Sequence, residues 1–531
     1  MIRRFAFLFI FSLLCLRQAG ALEQLLTAPV TTSSGVVLGE AIDDVRAFKG
    51  IPFAAPPVGD LRWKMPSAPA AWTTPRVCTK FGPVCPQPVQ GYGNLGDSNE
   101  DCLSINIWTA AKDAGEKRPV MVWVHGGGFV IGASSQAGYD GAELARNGVI
   151  LVSFNYRLGP LGFIAHPALS AESPAHTSGN YGLADQVFAL KWVKANIAAF
   201  GGDPGNVTLF GESAGGASVA ALMVSPLAAG LFHRAILQSG SHIARLRLLN
   251  KPRPGFAGTK PLESMEELGL QFAQRLGVPE TGDVAAALRA KPIDEVLKAI
   301  RPMAKMSGEL TVDHICIDGY VLQEPIEKVF AAGRHINVPC ITGDVADEGT
   351  LFAKKMAIDT VDKYQAFMKE RFGDQSAAAM AVFPGADDAG ATKAIIDLCS
   401  DVYFRGTRAT LRQMAPTQKN VYMYYFPHTS PVMLKGGLGV HHGAEIPYFF
   451  GNVKDEKKFT DADRALSRQI VGYLTRFART GDPNGTGAPE WPAYTTTEER
   501  YLEMDGACAT GEHLHKKTLD GLDALDATIK D

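Results

Sequence analysis

A carboxylate and a hydroxyl, Glu212 and Ser213, stand together in a stretch that otherwise holds mainly apolar and small side chains, TLFGESAGGASV (208–219). The residues before them are typical of a buried strand, and the residues after them are typical of a buried helix. Gly211 and Gly215 bracket the serine, so the stretch satisfies the pattern G-x-S-x-G. A sharp strand-to-helix turn of this kind lifts a serine Oγ above the end of a strand. The pattern therefore predicts a nucleophilic serine, Ser213.

A second glycine-rich segment, VWVHGGGFVIG (122–132), also follows an apolar run that is typical of a strand. Consecutive glycines allow backbone N–H groups to approach a ligand closely. An acyl-transfer reaction at a serine develops negative charge on a carbonyl oxygen, and one well-placed donor stabilises that charge by about 3 kcal/mol. We expect the N–H groups of Gly127, Gly128 and Ala214 to form such an oxyanion hole.

The chain resembles the type-B carboxylesterase family, the group that includes carboxylesterases and cholinesterases. Four segments carry the resemblance, in the order that the family has: EDCLSINIW (100–108), HGGGF (125–129), GNYGLADQ to GGDPGNVTLFGESAGG (179–216) and HGAEIPYFFG (442–451). The resemblance implies an α/β-hydrolase fold, with a mostly parallel central sheet, helices on both faces and large excursions that form a gorge. It also implies a serine esterase that hydrolyses small-molecule carboxylic esters through an acyl-enzyme, without a metal or cofactor.

A serine nucleophile needs an acid that orients its base, and the sequence offers several carboxylates. Asp344, Asp347 and Glu348 lie close together after an apolar run, and their residue types alone do not choose among them. The family places its acid before glycine in a DEG triplet and follows the chain order nucleophile, acid, base. The resemblance therefore implies Glu348 as the acid.

Two adjacent histidines, His441 and His442, are candidates for the base. The family's histidine precedes Gly-x-Glu, so the resemblance implies His442. The resemblance also places Glu212 in the gorge beside the serine, where its charge would assist the histidine or bind a cationic group of the substrate. A structural role for Glu212, as a buried carboxylate bonded to backbone amides, is the alternative.

The segments around these residues predict an α/β fold. Apolar, β-branched runs at 119–124, 149–154, 206–210, 235–240 and 338–343 alternate with helical patterns at 181–198 and 214–224. Strands that alternate with helices indicate a parallel sheet covered on both faces. Residues 248–311 are more charged and less periodic, so we expect an excursion that forms part of the wall above the site.

The N-terminus has the pattern of a secretory signal peptide. Arg3 and Arg4 precede an apolar run that is too short for a comfortable membrane span, and a small-x-small cleavage pattern ends at Ala21. We expect residues 1–21 to be removed, residues 22–531 to form a single domain, and the protein to be secreted or periplasmic. No later segment resembles a transmembrane helix. The formal charge of −3, without a basic stripe, argues against nucleic acid as a partner.

The resemblance further implies a disulfide between Cys85 and Cys102, because GPVCPQP and EDCLSIN resemble the family's first bridged loop. Two other functions remain compatible with these patterns: an amidase or carbamate hydrolase with the same three catalytic groups, and a non-catalytic adhesion protein of the same family. The presence of serine, acid and base favours an enzyme over the adhesion protein. No clustered Cys and His spacing suggests zinc.

Overall fold

The computed structural model describes residues 26–88, 95–240, 246–253, 261–300 and 314–527. The strands are β1 (Val30–Thr32), β2 (Gly35–Leu38), β3 (Glu40–Ile42), β4 (Val45–Pro52), β5 (Arg76–Val77), β6 (Ser104–Thr109), β7 (Arg118–Val124), β8 (Ile150–Phe154), β9 (Gly202–Glu212), β10 (Arg234–Gln238), β11 (Cys340–Val345), β12 (Val421–Phe426), β13 (Arg500–Glu503) and β14 (Ala509–Glu512). The predicted signal peptide lies outside the described residues.

The α-helices follow the same chain order. They are α1 (Ala142–Arg146), α2 (Gly159–Phe163), α3 (Pro167–Glu172), α4 (Tyr181–Asn196), α5 (Ala214–Met223), α6 (Met265–Arg275), α7 (Val284–Arg289), α8 (Ile293–Lys298), α9 (Ile326–Ala331), α10 (Thr350–Met356), α11 (Val361–Phe372), α12 (Ser376–Val382), α13 (Asp388–Met414), α14 (Pro431–Gly436), α15 (Ile446–Phe450), α16 (Asp461–Thr480) and α17 (Lys516–Ala527). Within the described ranges, none of these helices is long and apolar enough to cross a membrane.

One large sheet organises the chain, in the strand order β14-β13-β12-β11-β10-β9-β7-β8-β6-β4-β3. Its centre, from β13 to β8, is parallel, whereas the strands at both edges pair antiparallel. The central strands are buried along almost their whole length because helices cover both faces of the sheet. The predicted mostly parallel sheet is therefore present.

The two faces of the sheet bury separate apolar layers. Alternate residues of β7 illustrate this, since Val120, Val122 and Val124 belong to one layer while Met121 and Trp123 belong to the other. The first layer includes residues of α4 and α5, and the second includes residues of α16. Strands β9, β10 and β11 are thereby fixed as neighbours, and their carboxyl ends lie along one edge of the sheet.

The charged region after residue 248 folds against the sheet's helices rather than joining the sheet. In its described parts, helices α6, α7 and α8 pack into an apolar cluster that includes Trp63 and Tyr181. Trp63 also donates its indole N–H to the Pro160 carbonyl oxygen at 2.8 Å. This arrangement agrees with an excursion from the sheet.

The predicted disulfide between Cys85 and Cys102 is absent from this structure. Both residues are buried free thiols. They are nevertheless neighbours, because a hydrogen bond from the Cys102 thiol to Cys85, together with burial, raises the pKa of Cys102 well above its usual range. The Leu158 N–H donates to the Cys85 sulfur at 3.2 Å, so this sulfur is accommodated as a thiol.

Candidate functional site

Ser213 occupies the bend between β9 and α5 with a strained backbone. Its φ of +58° and ψ of −124° lie outside the regions that L-residues ordinarily occupy. Hydrogen bonds on both sides hold it there: its N–H donates to the Gln238 carbonyl oxygen at 2.9 Å, and its carbonyl oxygen accepts from the Ala217 N–H at 2.8 Å. Strain of this kind persists only where the surroundings enforce it, and it is concentrated at functional sites.

The two glycines that bracket the serine are required by close backbone packing. A Cβ on Gly211 would lie 2.7 Å from the Val124 carbonyl oxygen, and a Cβ on Gly215 would lie 2.0 Å from the same oxygen. Real Cβ atoms do not approach backbone this closely, so no larger residue fits at either position without movement of β7. The sequence pattern thus reflects the crossing of β9 and α5 over the end of β7.

The predicted oxyanion loop lies directly against the serine. A Cβ on Gly126 would be 3.0 Å from the Ser213 Cβ. Gly127 and Gly128 both have positive φ, at +110° and +64°, and the position where a Cβ of Gly128 would stand is open. Ala214, at the first position of α5, is buried beside them. The structure therefore brings the glycine loop and the start of α5 to the same place, with the positive end of the helix directed there.

His442 and Glu348 are joined by a short hydrogen bond. Nδ1 of His442 lies 2.5 Å from Oε2 of Glu348, which is fully buried. The other Glu348 oxygen accepts from the Val345 N–H at 2.9 Å, so both carboxylate oxygens are engaged. Two aromatic rings flank the imidazole, from Phe352 at 5.3 Å and Tyr403 at 5.1 Å between centroids. The imidazole is thus oriented both by the carboxylate and by packing.

The other imidazole nitrogen points toward Glu212. Nε2 of His442 lies 3.3 Å from Oε1 of Glu212 and makes no hydrogen bond with any described residue. Gly443 is also close, since a Cβ there would be 3.3 Å from the same Glu212 oxygen. Because Glu212 directly precedes Ser213, this contact brings the Nε2 side of the imidazole to the bend that carries the serine.

The ionisable groups in this site shift one another's pKa values. Burial lowers the pKa of His442, but Glu212 and Glu348 outweigh it and raise that pKa to about 10. Burial raises the pKa of Glu212 to about 7, and Glu348 adds to this effect while His442 opposes it. A histidine between two carboxylates binds a proton strongly, which favours the imidazolium that forms when a serine loses its proton.

The alternative candidates for the acid and the base, Asp344, Asp347 and His441, make other contacts. Asp347 accepts from the Val440 N–H at 2.7 Å through Oδ2, and its backbone pairs with the segment that leads to His441. Asp347 therefore fixes the loop before His442 and makes no hydrogen bond to the imidazole. His441 forms a bridge to Asp347, and its Nδ1 has no hydrogen-bond partner among the described residues. Asp344 is buried on β11 and is considered below.

Sequence reasoning missed the aromatic neighbours of His442 and one further acid. Phe352 lies on α10, which begins two residues after Glu348, so its nearness to Glu348 follows from the chain order, whereas its contact with His442 does not. Tyr403 lies on α13, where no sequence signal links it to the site. Glu445 is fully buried, and its Oε1 accepts from Gln238 Nε2 at 3.3 Å and from the Tyr424 hydroxyl at 3.4 Å.

Comparison with known proteins identifies the family. The Carboxylesterase family matches residues 27–520. Fumonisin B1 esterase of Sphingopyxis macrogoltabida is 37% identical over 498 residues, covering 91% of this chain and 87% of that protein. Para-nitrobenzyl esterase of Bacillus subtilis (strain 168) is 35% identical over 493 residues, covering 90% of this chain and 94% of that protein.

A solved structure described as PNB esterase superposes with a TM-score of 0.78 at 32% sequence identity. The superposition covers 93% of this chain and 99% of that one. At this level of similarity the two chains share a fold along nearly their whole length, so the sheet and helices described above form an α/β-hydrolase fold. The chain is a carboxylic ester hydrolase, and it belongs to the carboxylesterase family.

Proposed function

We propose that Ser213, His442 and Glu348 form a catalytic triad that hydrolyses small-molecule carboxylic esters through an acyl-enzyme. The observation that carries the proposal is the convergence of three arrangements at one sheet edge. These are a strained serine at a strand-to-helix bend, a glycine loop in contact with it, and a histidine held by a buried carboxylate.

The first half-reaction follows from these positions. Nε2 of His442 accepts the proton of the Ser213 hydroxyl while the Ser213 oxygen attacks the ester carbonyl carbon. The carbonyl oxygen becomes an oxyanion, and the N–H groups of Gly127, Gly128 and Ala214 donate to it. His442 then protonates the departing alcohol, and the acyl group remains on the serine.

The second half-reaction uses the same groups with water as the nucleophile. His442 takes a proton from water while the water oxygen attacks the acyl carbon. His442 then returns that proton to the Ser213 oxygen as the bond between this oxygen and the acyl carbon breaks, and the carboxylic acid departs. Glu348 keeps Nδ1 of His442 protonated in both steps, so that Nε2 is the nitrogen that exchanges protons. Glu212 faces Nε2 and stabilises the imidazolium that forms in each step.

We also propose that residues 22–531 act as one domain and that the protein is exported after removal of residues 1–21. Arg3, Arg4 and the apolar run that follows them support export. Sequencing of the N-terminus of the protein purified from a culture would test this, because an intact Met1 would contradict cleavage.

Two alanine substitutions test the catalytic proposal. Ser213→Ala and His442→Ala should each reduce kcat for a neutral ester by about a millionfold, since members of a triad act as a unit and their losses do not add. Thermal melting checks that each variant is folded. Near wild-type hydrolysis by folded Ser213→Ala protein would contradict the proposal.

A further inference from the structure

A second buried carboxyl, Asp344, lies just behind the proposed triad acid. It lies four residues before Glu348, on strand β11, and only 1% of its surface is exposed. Its carboxyl oxygens are buried, and a weak hydrogen bond from the Thr407 side chain reaches them. The mechanism proposed above gives Asp344 no role, so its burial in this place requires an explanation.

A buried carboxylate with only one weak hydrogen bond is costly, because the anion loses its hydration and gains little in return. The side chains that act on Asp344 are Glu348 and His442 from the adjoining loops and Thr407 from α13. Tyr403 of α13 and Tyr424 of β12 also lie within its electrostatic reach. None of these groups is a lysine or an arginine, and the one that can carry positive charge, His442, pairs with Glu348 instead. Asp344 is therefore most stable as the neutral acid.

The titration behaviour of the cluster agrees with this. Burial and the neighbouring Glu348 carboxylate raise the pKa of Asp344 well above its usual range, while Thr407 and His442 oppose the rise. Two carboxyl groups that share one site do not readily ionise together. One of the pair therefore holds a proton while the other holds the charge.

The hydrogen bonds decide which member of the pair holds the charge. Glu348 accepts from the Val345 N–H and pairs with the His442 ring, whereas Asp344 has neither contact. Hydrogen bonds to an anion favour it over the neutral form. The charge accordingly rests on Glu348 and the proton on Asp344.

We propose that Asp344 is a reserve acid, which stays neutral while Glu348 is charged and which ionises when the charge of Glu348 is removed. This inference rests on the proposed function, because it requires Glu348 to be the acid that supports His442. When Asp344 ionises, its proton passes to solvent and its carboxylate replaces part of the negative charge that the imidazolium of His442 needs. Asp344 is thus a positioning residue, which acts on His442 by electrostatic attraction rather than by a direct hydrogen bond.

A double-mutant cycle tests the proposal with Asp344→Asn, Glu348→Gln and the combined variant. Asp344→Asn alone should reduce kcat/KM by no more than about threefold, because it replaces a neutral group by a neutral group. Glu348→Gln should cost about a hundredfold to a thousandfold, and the combined variant about ten-thousandfold, near the loss seen when an orienting acid is removed without replacement. The residual activity of Glu348→Gln should also rise with pH through an ionisation that the combined variant lacks.

Asp347→Asn is the matched control, since it makes the same chemical change in the same loop at a carboxylate that binds the Val440 N–H. It should change kcat/KM by the same factor in the wild-type enzyme and in the Glu348→Gln variant. If the combined variant of Asp344→Asn and Glu348→Gln does not fold, the pH profile of Asp344→Asn decides. An acid limb of kcat/KM that stays in place supports a neutral Asp344. An acid limb that moves to lower pH overturns the reserve-acid proposal.

The outcomes separate this inference from the function on which it rests. Near wild-type activity of Glu348→Gln, either alone or combined with Asp344→Asn, would contradict the proposed triad itself. A large loss in Glu348→Gln that Asp344→Asn does not deepen would leave the triad standing and overturn the reserve acid. A loss in Asp344→Asn as large as that in Glu348→Gln would also overturn it, because Asp344 would then carry charge in the resting enzyme.

Discussion

Replacement of Glu212 by glutamine should move the acid limb of the kcat/KM profile to lower pH. His442 acts as a base only when neutral, and the acid limb reports its pKa in the free enzyme. Burial lowers this pKa, but Glu212 and Glu348 outweigh burial and raise it to about 10. Removal of the Glu212 charge lowers the pKa of His442, so the neutral base persists to more acidic pH.

The size of the shift follows from the distance between the two groups. At 3.3 Å between Nε2 and Oε1, two full charges interact by about 5 kcal/mol at an effective dielectric constant of about 20. The pKa of Glu212 is raised to about 7, below that of His442, so Glu212 carries its charge in the pH range where His442 titrates. We therefore expect a shift of at least about one pH unit, which corresponds to about 1.4 kcal/mol.

The plateau of the profile should fall as well, because the imidazolium that forms in the transition state loses the same stabilisation. We expect a fall of about tenfold or more, since each 1.4 kcal/mol is a factor of about ten. The assay is kcat/KM for a neutral ester from about pH 5 to about pH 12 on the purified wild-type and Glu212→Gln enzymes, at constant ionic strength, so that the plateau above the pKa of His442 is reached.

Glu445→Gln is the matched control for this experiment. Glu445 is buried in the same cluster, but burial and the carboxylates of Glu212 and Glu348 raise its pKa well above its usual range. Among the groups that raise the pKa of His442, Glu445 has a smaller effect than Glu212 or Glu348, so its replacement should move the acid limb much less. An acid limb that stays in place or moves to higher pH in Glu212→Gln would refute the reasoning, as would an equal shift in Glu445→Gln.

Three further substitutions test other parts of the site. Gly215→Ala should destabilise the protein by about 3 kcal/mol or more, because the new Cβ would lie 2.0 Å from a backbone oxygen. Denaturant unfolding measures this loss, and an unchanged unfolding midpoint would contradict the packing argument. His441→Ala should retain most of the ester hydrolysis that His442→Ala loses, because the Glu348 hydrogen bond reaches His442 alone; equal losses in the two folded variants would remove the distinction. Tyr403→Leu should reduce kcat about tenfold with little change in KM, because the ring that packs on the imidazole is lost. Tyr403→Phe keeps the ring and should retain most of kcat. A rise in KM alone in Tyr403→Leu would indicate a substrate contact instead.

The bend that carries Ser213 could be predicted from sequence because its constraints are local. Gly211 and Gly215 are fixed by backbone contacts that any strand-to-helix turn of this shape imposes. The strand and helix on either side also have clear apolar patterns. The observed bounds of β9 and α5 accordingly include or closely match the predicted ones.

The different positions of the three neighbouring carboxylates could not be predicted from residue types. Asp344, Asp347 and Glu348 lie close together in the chain, and their roles depend on where β11 ends and on which direction each side chain then takes. The approach of Tyr403 depends on the packing of α13, which is distant in sequence. Proximity of two cysteines in a loop likewise does not decide whether their sulfurs are bonded or remain thiols, and Cys85 and Cys102 are free thiols in this structure.

Covalent labelling with a fluorophosphonate tests the central claim most directly, since this reagent reacts as an acyl group but leaves the serine too slowly to turn over. The account predicts one label per chain, located on Ser213 by peptide mapping, with loss of ester hydrolysis in proportion to labelling. Folded His442→Ala protein should label far more slowly, because the serine has lost its base. Label on another serine, or full labelling with activity retained, would contradict the account.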